Sequence, residues 1–366
     1  MLAGRSGSEL YTAEVAEGLI ARGHSVVLYT PVPGRLAAQL QARAIPVVSD
    51  LRTMTEPPDV IHGQHTHETL TALLAFPGVP AIQMHHGWVD LPPTPFPRIL
   101  RHVAVDDTVR DRLVSEWGIP LHRVDVVRNF VDLSTLPARA PLPVKPTRAV
   151  VFSNSAAHHL AAVRDACTVR GIQVDAIGAD VGEVAERPGE ILGSYDLVFA
   201  KARCAMEAMA VGTAVVLCDR SGLGSMVDTR NFDDLRRLNF GLRTLREPLT
   251  ATAIAAQLDR YDPLDAANVS ARIRAEAHIG GALDRLLQLY DEVLDEWQAT
   301  PHHAVDDELR SASVYLQRIT AEPRPRVAAG ALFKAAYFRM RQWPIVRRLL
   351  PSPSAALRIY RSIRNR

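Results

Sequence analysis

The sequence predicts an α/β protein made of two doubly wound domains. Three observations carry this reading. Short apolar, β-branched runs alternate with helix-period segments through the first third of the chain. A proline-rich stretch, residues 136–147 (LPARAPLPVKPT), then interrupts the pattern. The same alternation restarts at Ala149. Strands separated by helices in this rhythm imply parallel sheets covered on both faces.

The first helix is expected over 8–22, where Leu10, Val15, Leu19 and Ile20 recur at helical spacing and Gly23 stops the run. A buried strand follows at 25–30 (SVVLYT), a helix at 35–43 and a strand at 45–48. Strands at 59–62 (DVIH) and 80–84 flank a helix near 68–75. A strand at 102–105, a helix at 107–117 and a strand at 124–127 complete the first pattern. In the second pattern the strands are 149–152, 174–177, 197–200 and 214–217. The helices are 160–170, 202–211, 251–261 and 278–297. An α/β nucleotide-binding unit normally opens with a strand before its glycine loop. Here the loop AGRSGS (3–8) comes almost at once, so the first strand of the first domain is expected to be missing.

The length of 366 residues exceeds one ordinary core and suits two domains and an extension. Boundaries are expected at 1–142, 143–298 and 299–366. Three cysteines, Cys167, Cys204 and Cys218, show no pairing or ligand spacing and read as reduced core thiols. The net charge of +2 is unevenly spread: residues 323–366 hold eleven Lys/Arg and no Asp/Glu, leaving the rest at −9. Within that tail Leu332, Phe333, Ala336, Tyr337, Met340 and Trp343 share one helical stripe, with Lys334, Arg339 and Arg341 off it. A basic amphipathic helix of this kind suits an anionic membrane surface. No run of about 18 apolar residues occurs. The protein is expected in the cytoplasm, peripheral on the membrane, with no nucleic-acid partner.

Five segments in order resemble the GT-B glycosyltransferases, specifically the retaining family 4 group. They are GSELYTAEVAEGLIARGHSVVLYTP, DVIHGQH with AIQMHHGW, VAVDDTVRDRLVSEWGIPLHRVDVVRNFVDL, MEAMAVGTAVVLCDRSGLGSMV and ALDRLLQLYDEVLDE. The resemblance implies two Rossmann-like domains with a cleft between them, an acceptor-side first domain and a nucleotide-sugar donor domain. It implies transfer of a sugar from a UDP- or GDP-sugar to a hydroxyl acceptor (a glycan, a small molecule or a lipid-linked one), with retention and without a metal. No Asp-x-Asp motif stands at a strand end. Two departures are clear. The family's two donor-site glutamates lie eight positions apart, but only Glu207 is present and Phe199 stands at the other position. The loop after the first strand of the second domain, 153–159 (SNSAAHH), lacks the family's Arg and Lys.

The candidate site follows from these segments. Glu207, a single acid between Met206 and Ala208 in an apolar helix, needs donors if buried. The resemblance supplies them as ribose hydroxyls; the alternative is a nearby Arg. Lys201 and Arg203 at the start of that helix are expected to stabilise the leaving diphosphate, where the helix dipole also favours an anion. Ser153 and Gly222 are placed at the donor, and Gly7 against the diphosphate or sugar. By resemblance His86 faces the transferred sugar. His62, His65 and His67 crowd another strand end and read as acceptor-side lining, with no metal assigned. Two further readings are a sugar-nucleotide epimerase of the same fold, with Glu9, Asp90 and Asp106 as acid/base candidates, and a catalytically weak binding partner.

Overall fold

The computed structural model describes residues 2, 6–87, 93, 96–183, 185, 187–299 and 305–321. The basic tail, Asp90 and the linker before residue 305 lie outside them. Two compact units divide between residues 304 and 305.

The first half of the larger unit runs α1 (Gly7–Ala21), β1 (Leu28–Tyr29), α2 (Arg35–Ala42), β2 (Val47–Val48), β3 (Ile61–Gly63), α3 (Thr66–Ala75), β4 (Ala81–His85), β5 (Ile99–Ala104), α4 (Asp107–Ser115) and β6 (Val124–Val126). All pairings are parallel, as the alternation predicts. The sheet is in two pieces: β1 pairs only with β2, while β3, β4, β5 and β6 form a separate sheet in that order. Among the described residues no strand joins the pieces. Leu2 makes a lone parallel bridge to Pro33, and its carbonyl accepts from the N–H groups of Gly34 and Ala37. Helix α1 spans the break instead. Its Ala13 and Ala16 pack with Leu28, Leu36 and Leu40, whereas Tyr11, Val15 and Leu19 pack with Ile82, Met84 and Val103.

The second half runs β7 (Arg148–Phe152), α5 (Leu160–Thr168), β8 (Gln173–Ile177), α6 (Pro188–Leu192), β9 (Leu197–Ala200), α7 (Ala202–Val211), β10 (Ala214–Asp219), β11 (Gly222–Met226), α8 (Phe232–Arg237), α9 (Ala251–Leu258), α10 (Pro263–Glu276) and α11 (Ile279–Ala299). Its sheet is continuous, in the order β11-β10-β9-β7-β8. Strands β7, β9 and β10 are buried almost throughout, so they read as unbroken apolar runs. Each fully buried Val, Leu or Phe contributes roughly 1.5–3 kcal/mol. Strand β11 is antiparallel to β10 and was not expected from sequence. Helix α7 starts at Lys201, in extended conformation, and stops at Gly212, which takes the left-handed φ of 104° that a C-terminal glycine supplies.

Helix α11 departs from the expected grouping with the second domain. Its stripe Leu283, Leu286, Tyr290, Val293 and Trp297 joins the core of the first half, against Tyr11, Val15 and Leu19. The spacing of three and four residues sets that stripe on one face. Arg22 closes the contact from α1 by an ion pair to Asp284 and a hydrogen bond to the Gly280 carbonyl. The second unit contributes α12 (Val305–Ala321), whose first turn holds Asp306, Asp307 and Glu308, the acids a helix N-terminus favours.

Candidate functional site

In the second sheet the chain moves from β7 to β8 on one side and from β9 to β10 on the other, so its direction reverses between β7 and β9. The carboxyl ends of strands at such a switch point bound the ligand crevice of open α/β sheets. Ser153 follows β7 and Lys201 follows β9, which puts two predicted residues at that point. The Ser153 N–H donates to the Ile177 carbonyl at 3.0 Å, and its Oγ accepts from the Ser155 N–H at 3.2 Å. Gly178 makes this loop possible: a Cβ there would stand 1.7 Å from the Ser153 carbonyl oxygen.

The loop ends at His159, 1% exposed, with neither ring nitrogen hydrogen-bonded among the described residues. Burial holds its pKa down, against the pull of the Asp219 carboxylate. Asp219 closes β10 and lies 3.1 Å from Lys201 Nζ. The sequence reading singles out neither Asp219 nor His159 as a site residue. Nothing in its local pattern separates it from the neighbouring His158, which is more than half exposed.

Arg203 takes a different position from the one expected. Instead of facing a diphosphate as an unengaged cation, it lies between two carboxylates. Its Nε donates to Glu207 Oε1 at 2.7 Å and its Nη1 to Glu14 Oε2 at 2.8 Å, and Nη2 also donates to Glu14. Residues 203 and 207 share a face of α7 by their i,i+4 spacing, and α1 brings Glu14 to the same place. Burial alone would lower the Arg203 pKa, but Glu207 and Glu14 outweigh it and raise it. Arg203 is thus engaged by two carboxylates in this structure. Glu207, 7% exposed, has the arginine partner that was the alternative to ribose hydroxyls. Ala202, just before, has φ of 50°, a left-handed value uncommon for a non-glycine residue and placed at the start of α7.

Of the two expected glycines, Gly222 differs from the expectation. Gly222 pairs with Asp219 in the β10–β11 hairpin at φ 152°. A Cβ on it would come within 3.0 Å of the Glu247 carbonyl oxygen, so its open side is filled by the chain's own backbone, not by a sugar or phosphate. Gly7 is the first residue of α1 and has open space where a Cβ would be. The Ser6 N–H beside it already donates to the Glu9 carboxylate at 2.8 Å.

His86 follows β4. Its Nε2 is 2.5 Å from Gln64 Oε1, and the Tyr11 ring meets it edge-on at 4.9 Å. Burial, with smaller effects from His65 and His62, lowers its pKa to about 3, so the ring is neutral near pH 7. Tyr11 and Glu14 are three apart on α1, and one touches His86 while the other touches Arg203. Helix α1 therefore joins the two groups of predicted residues. A separate cavity between α4 and the β11–α8 region is crossed by Arg237–Asp107 at 2.9 Å and Arg243–Asp111 at 3.1 Å. None of the predicted residues lines it.

Comparison with known proteins agrees with this architecture. Residues 5–135 match the model of Glycosyltransferase Family 4. A glycosyltransferase from Rickettsia africae superposes with a TM-score of 0.61 at 15% identity, covering 79% of this chain and 96% of that one. Anabaena Alr3699/HepE in complex with UDP-glucose gives 0.54 at 13% identity, with 79% and 97% covered. Sucrose-phosphate synthase from Thermosynechococcus elongatus gives 0.54 at 13%, with 80% and 95%. No curated protein matches the sequence. The two-sheet architecture and these superpositions agree on a GT-B fold, and residues 5–135 are similar to Glycosyltransferase Family 4.

Proposed function

We propose that the protein transfers a hexosyl group from a UDP- or GDP-sugar to a hydroxyl acceptor, with retention at the anomeric carbon and with no metal ion in the step. The observation that carries this reading is the switch point between β7 and β9, where Ser153 and Lys201 meet the start of α7. In the transfer, the bond from the anomeric carbon to the diphosphate oxygen breaks. The acceptor oxygen forms the new bond, and its proton leaves on a phosphate oxygen. Negative charge grows on the diphosphate, so a fixed cation and the dipole of α7 lower the barrier most if aimed there. Lys201 is the cation. Arg203 serves the step indirectly by holding Glu207 against α1, and Glu207 grips the ribose hydroxyls once the nucleotide enters. His86 and Gly7 belong to the sugar side.

The UDP-glucose bound by the Anabaena neighbour supports a nucleotide-sugar donor. The eleven Lys/Arg of residues 323–366 support an anionic membrane surface as a partner and a lipid-linked acceptor. Among the described residues no helix is long and apolar enough to cross a membrane. Labelled UDP- and GDP-hexoses, incubated with and without a hydroxyl acceptor, test the reading. Nucleoside diphosphate release that rises with acceptor supports it. An isomerised sugar still joined to its nucleotide, formed without acceptor, would show an epimerase instead.

A further inference from the structure

The cavity between α4 and the β11–α8 region takes no part in the transfer reading. Its volume is about 530 Å³, within the range of small-molecule sites. Leu223, Gly224 and Ser225 of β11 form one wall. In the same hairpin Gly222 pairs with Asp219, the partner of Lys201. The β10–β11 hairpin therefore borders both the cavity and the crevice.

Charge gives the cavity its chemistry. Arginines reach it from both halves: Arg110 from α4, Arg237 from α8, and Arg243 and Arg246 from the segment between α8 and α9. With Arg128, three of them share two carboxylates. Asp107 lies 2.9 Å from Arg237, 3.4 Å from Arg128 and 3.6 Å from Arg110. Asp111 lies 2.8 Å from Arg110 and 3.1 Å from Arg243. Asp234 and Glu247 also line the cavity, both exposed and in no ion pair among the described residues. Arg128 has a buried Nε with no hydrogen-bond partner among the described residues. Arg236 is buried near it, donating to the Asn129 carbonyl at 2.7 Å and to Met206 Sδ at 3.3 Å. Burial, and then the charge of Arg128, lower the Arg236 pKa to about 10; Glu276, itself paired with Arg272, offsets this in part. Six arginines thus stand against four carboxylates. A guanidinium matches a phosphate through two parallel N–H donors, and excess cations in a recess concentrate anions there.

We propose that this cavity is an anion site, gripped by Arg243 and Arg246, and that it holds a phosphate group carried by the hydroxyl acceptor. Arg243 is the better placed of the paired arginines, because its partner Asp111 is about half exposed and is shared with Arg110. Arg246 uses only its Nε, which donates to the Arg243 carbonyl at 3.2 Å. Arg237 stays with Asp107, whose side chain is 5% exposed, and ties α8 to α4. The anion site stands by itself; the naming of its ligand as the acceptor rests on the transfer reading above. A soluble sugar phosphate and a lipid head group carry the same phosphate chemistry.

Calorimetric titration of the full chain with glycerol 3-phosphate, beside sedimentation with phosphatidylglycerol vesicles, tests the site. The expected result is saturable binding of one of the two that weakens about tenfold or more in Arg243→Ala combined with Arg246→Ala. Lys201→Ala, in the crevice, should leave that binding within about twofold. Asp111→Asn frees Arg243 and should tighten it by about threefold or more. Arg243→Ala and Asp111→Asn break the same ion pair, so a merely structural role predicts weaker binding in both. Opposite signs are the mark of a ligand site. If the arginine variant does not fold, Asp111→Asn still decides. A response of glycerol 3-phosphate supports a soluble acceptor, and a response of the vesicles alone supports a lipid head group. Weaker binding in Asp111→Asn, equal loss in Lys201→Ala, or no saturable binding of either probe would overturn the proposal. If the cavity binds phosphate but no sugar is transferred, the transfer reading fails and the anion site stands.

Discussion

The two halves of the larger unit build their ligand-facing edges from opposite materials. The second half has a continuous five-stranded sheet, and its edge residues are charged and paired: Lys201 with Asp219, and Arg203 with Glu207. The first half has a sheet in two pieces, and its strands and their ends carry neutral histidines, His85 and His102 buried and His62 and His86 half-buried. On the proposed function, the difference separates recognition of charge from recognition of hydroxyls. A diphosphate needs fixed cations and a rigid crevice floor. A sugar needs neutral donors and acceptors whose direction is set by neighbours. One chain supplies both, and α1 couples them through Tyr11 and Glu14.

Acid should break the comparison most strongly. The four first-half histidines have folded pKa values below the unfolded one, mainly through burial, with His62 and His102 at about 4 and His86 at about 3. The unfolded chain therefore binds more protons below about pH 6.5. Stability is fully present above that pH and is lost as pH falls from there toward 4. Each such group costs about 1.4 kcal/mol per pH unit in that window. Several such groups in one half make that half the first to lose stability in acid. In the second half burial lowers the pKa of His159. Hydrogen exchange at pH 7 and pH 5 should show protection lost first in β3, β4 and β5, with β7, β9 and β10 retaining it. Uniform loss would contradict the account.

Arg203→Met comes next. It removes the cation that Glu14 and Glu207 share, and should cost about 3–5 kcal/mol in urea unfolding, as for a broken buried pair. Adding Glu14→Gln should restore part of that loss. A change below about 1 kcal/mol in the single variant would show that the triad is solvated and does not hold α1 to α7.

Gly178→Ala has a smaller effect confined to the second half. The added methyl meets the Ser153 carbonyl, so the loop after β7 must move. A nucleotide should bind more weakly, while hydrogen exchange at β4 and β5 stays as it was. Unchanged nucleotide affinity would place the nucleotide away from Ser153.

Much of the second half was legible because its strands are uninterrupted apolar runs. Residues 197–200 coincide with β9, and 202–211 with α7. Strand β11 was missed because GLGSM lacks β-branched residues; β10 holds it by backbone pairing. Helix α10 begins with Asp262 capping the N–H groups of Leu264 and Asp265 and with Pro263 in the first turn, a signal present in the sequence but not used. The Arg203–Glu207 pair was visible at i,i+4, but Glu14 is 189 residues away. Arg98 was equally hidden. It is fully buried and donates to the carbonyls of Leu73, Phe76 and Val79 at the end of α3. Such partners are set by tertiary packing, which local periodicity does not encode.

The central claim is that Glu207, at the crevice between β7 and β9, grips the ribose of a nucleotide. Calorimetric titration of UDP and GDP into the unaltered protein and into Glu207→Gln tests it most directly. The variant keeps the shape and removes the charge. The account predicts that one nucleotide binds the unaltered protein and that the variant binds it more weakly by roughly 1.5–3 kcal/mol, the range for a hydrogen bond to a charged group. Equal affinity in both proteins, with both folded, would remove Glu207 from the nucleotide site and contradict the account.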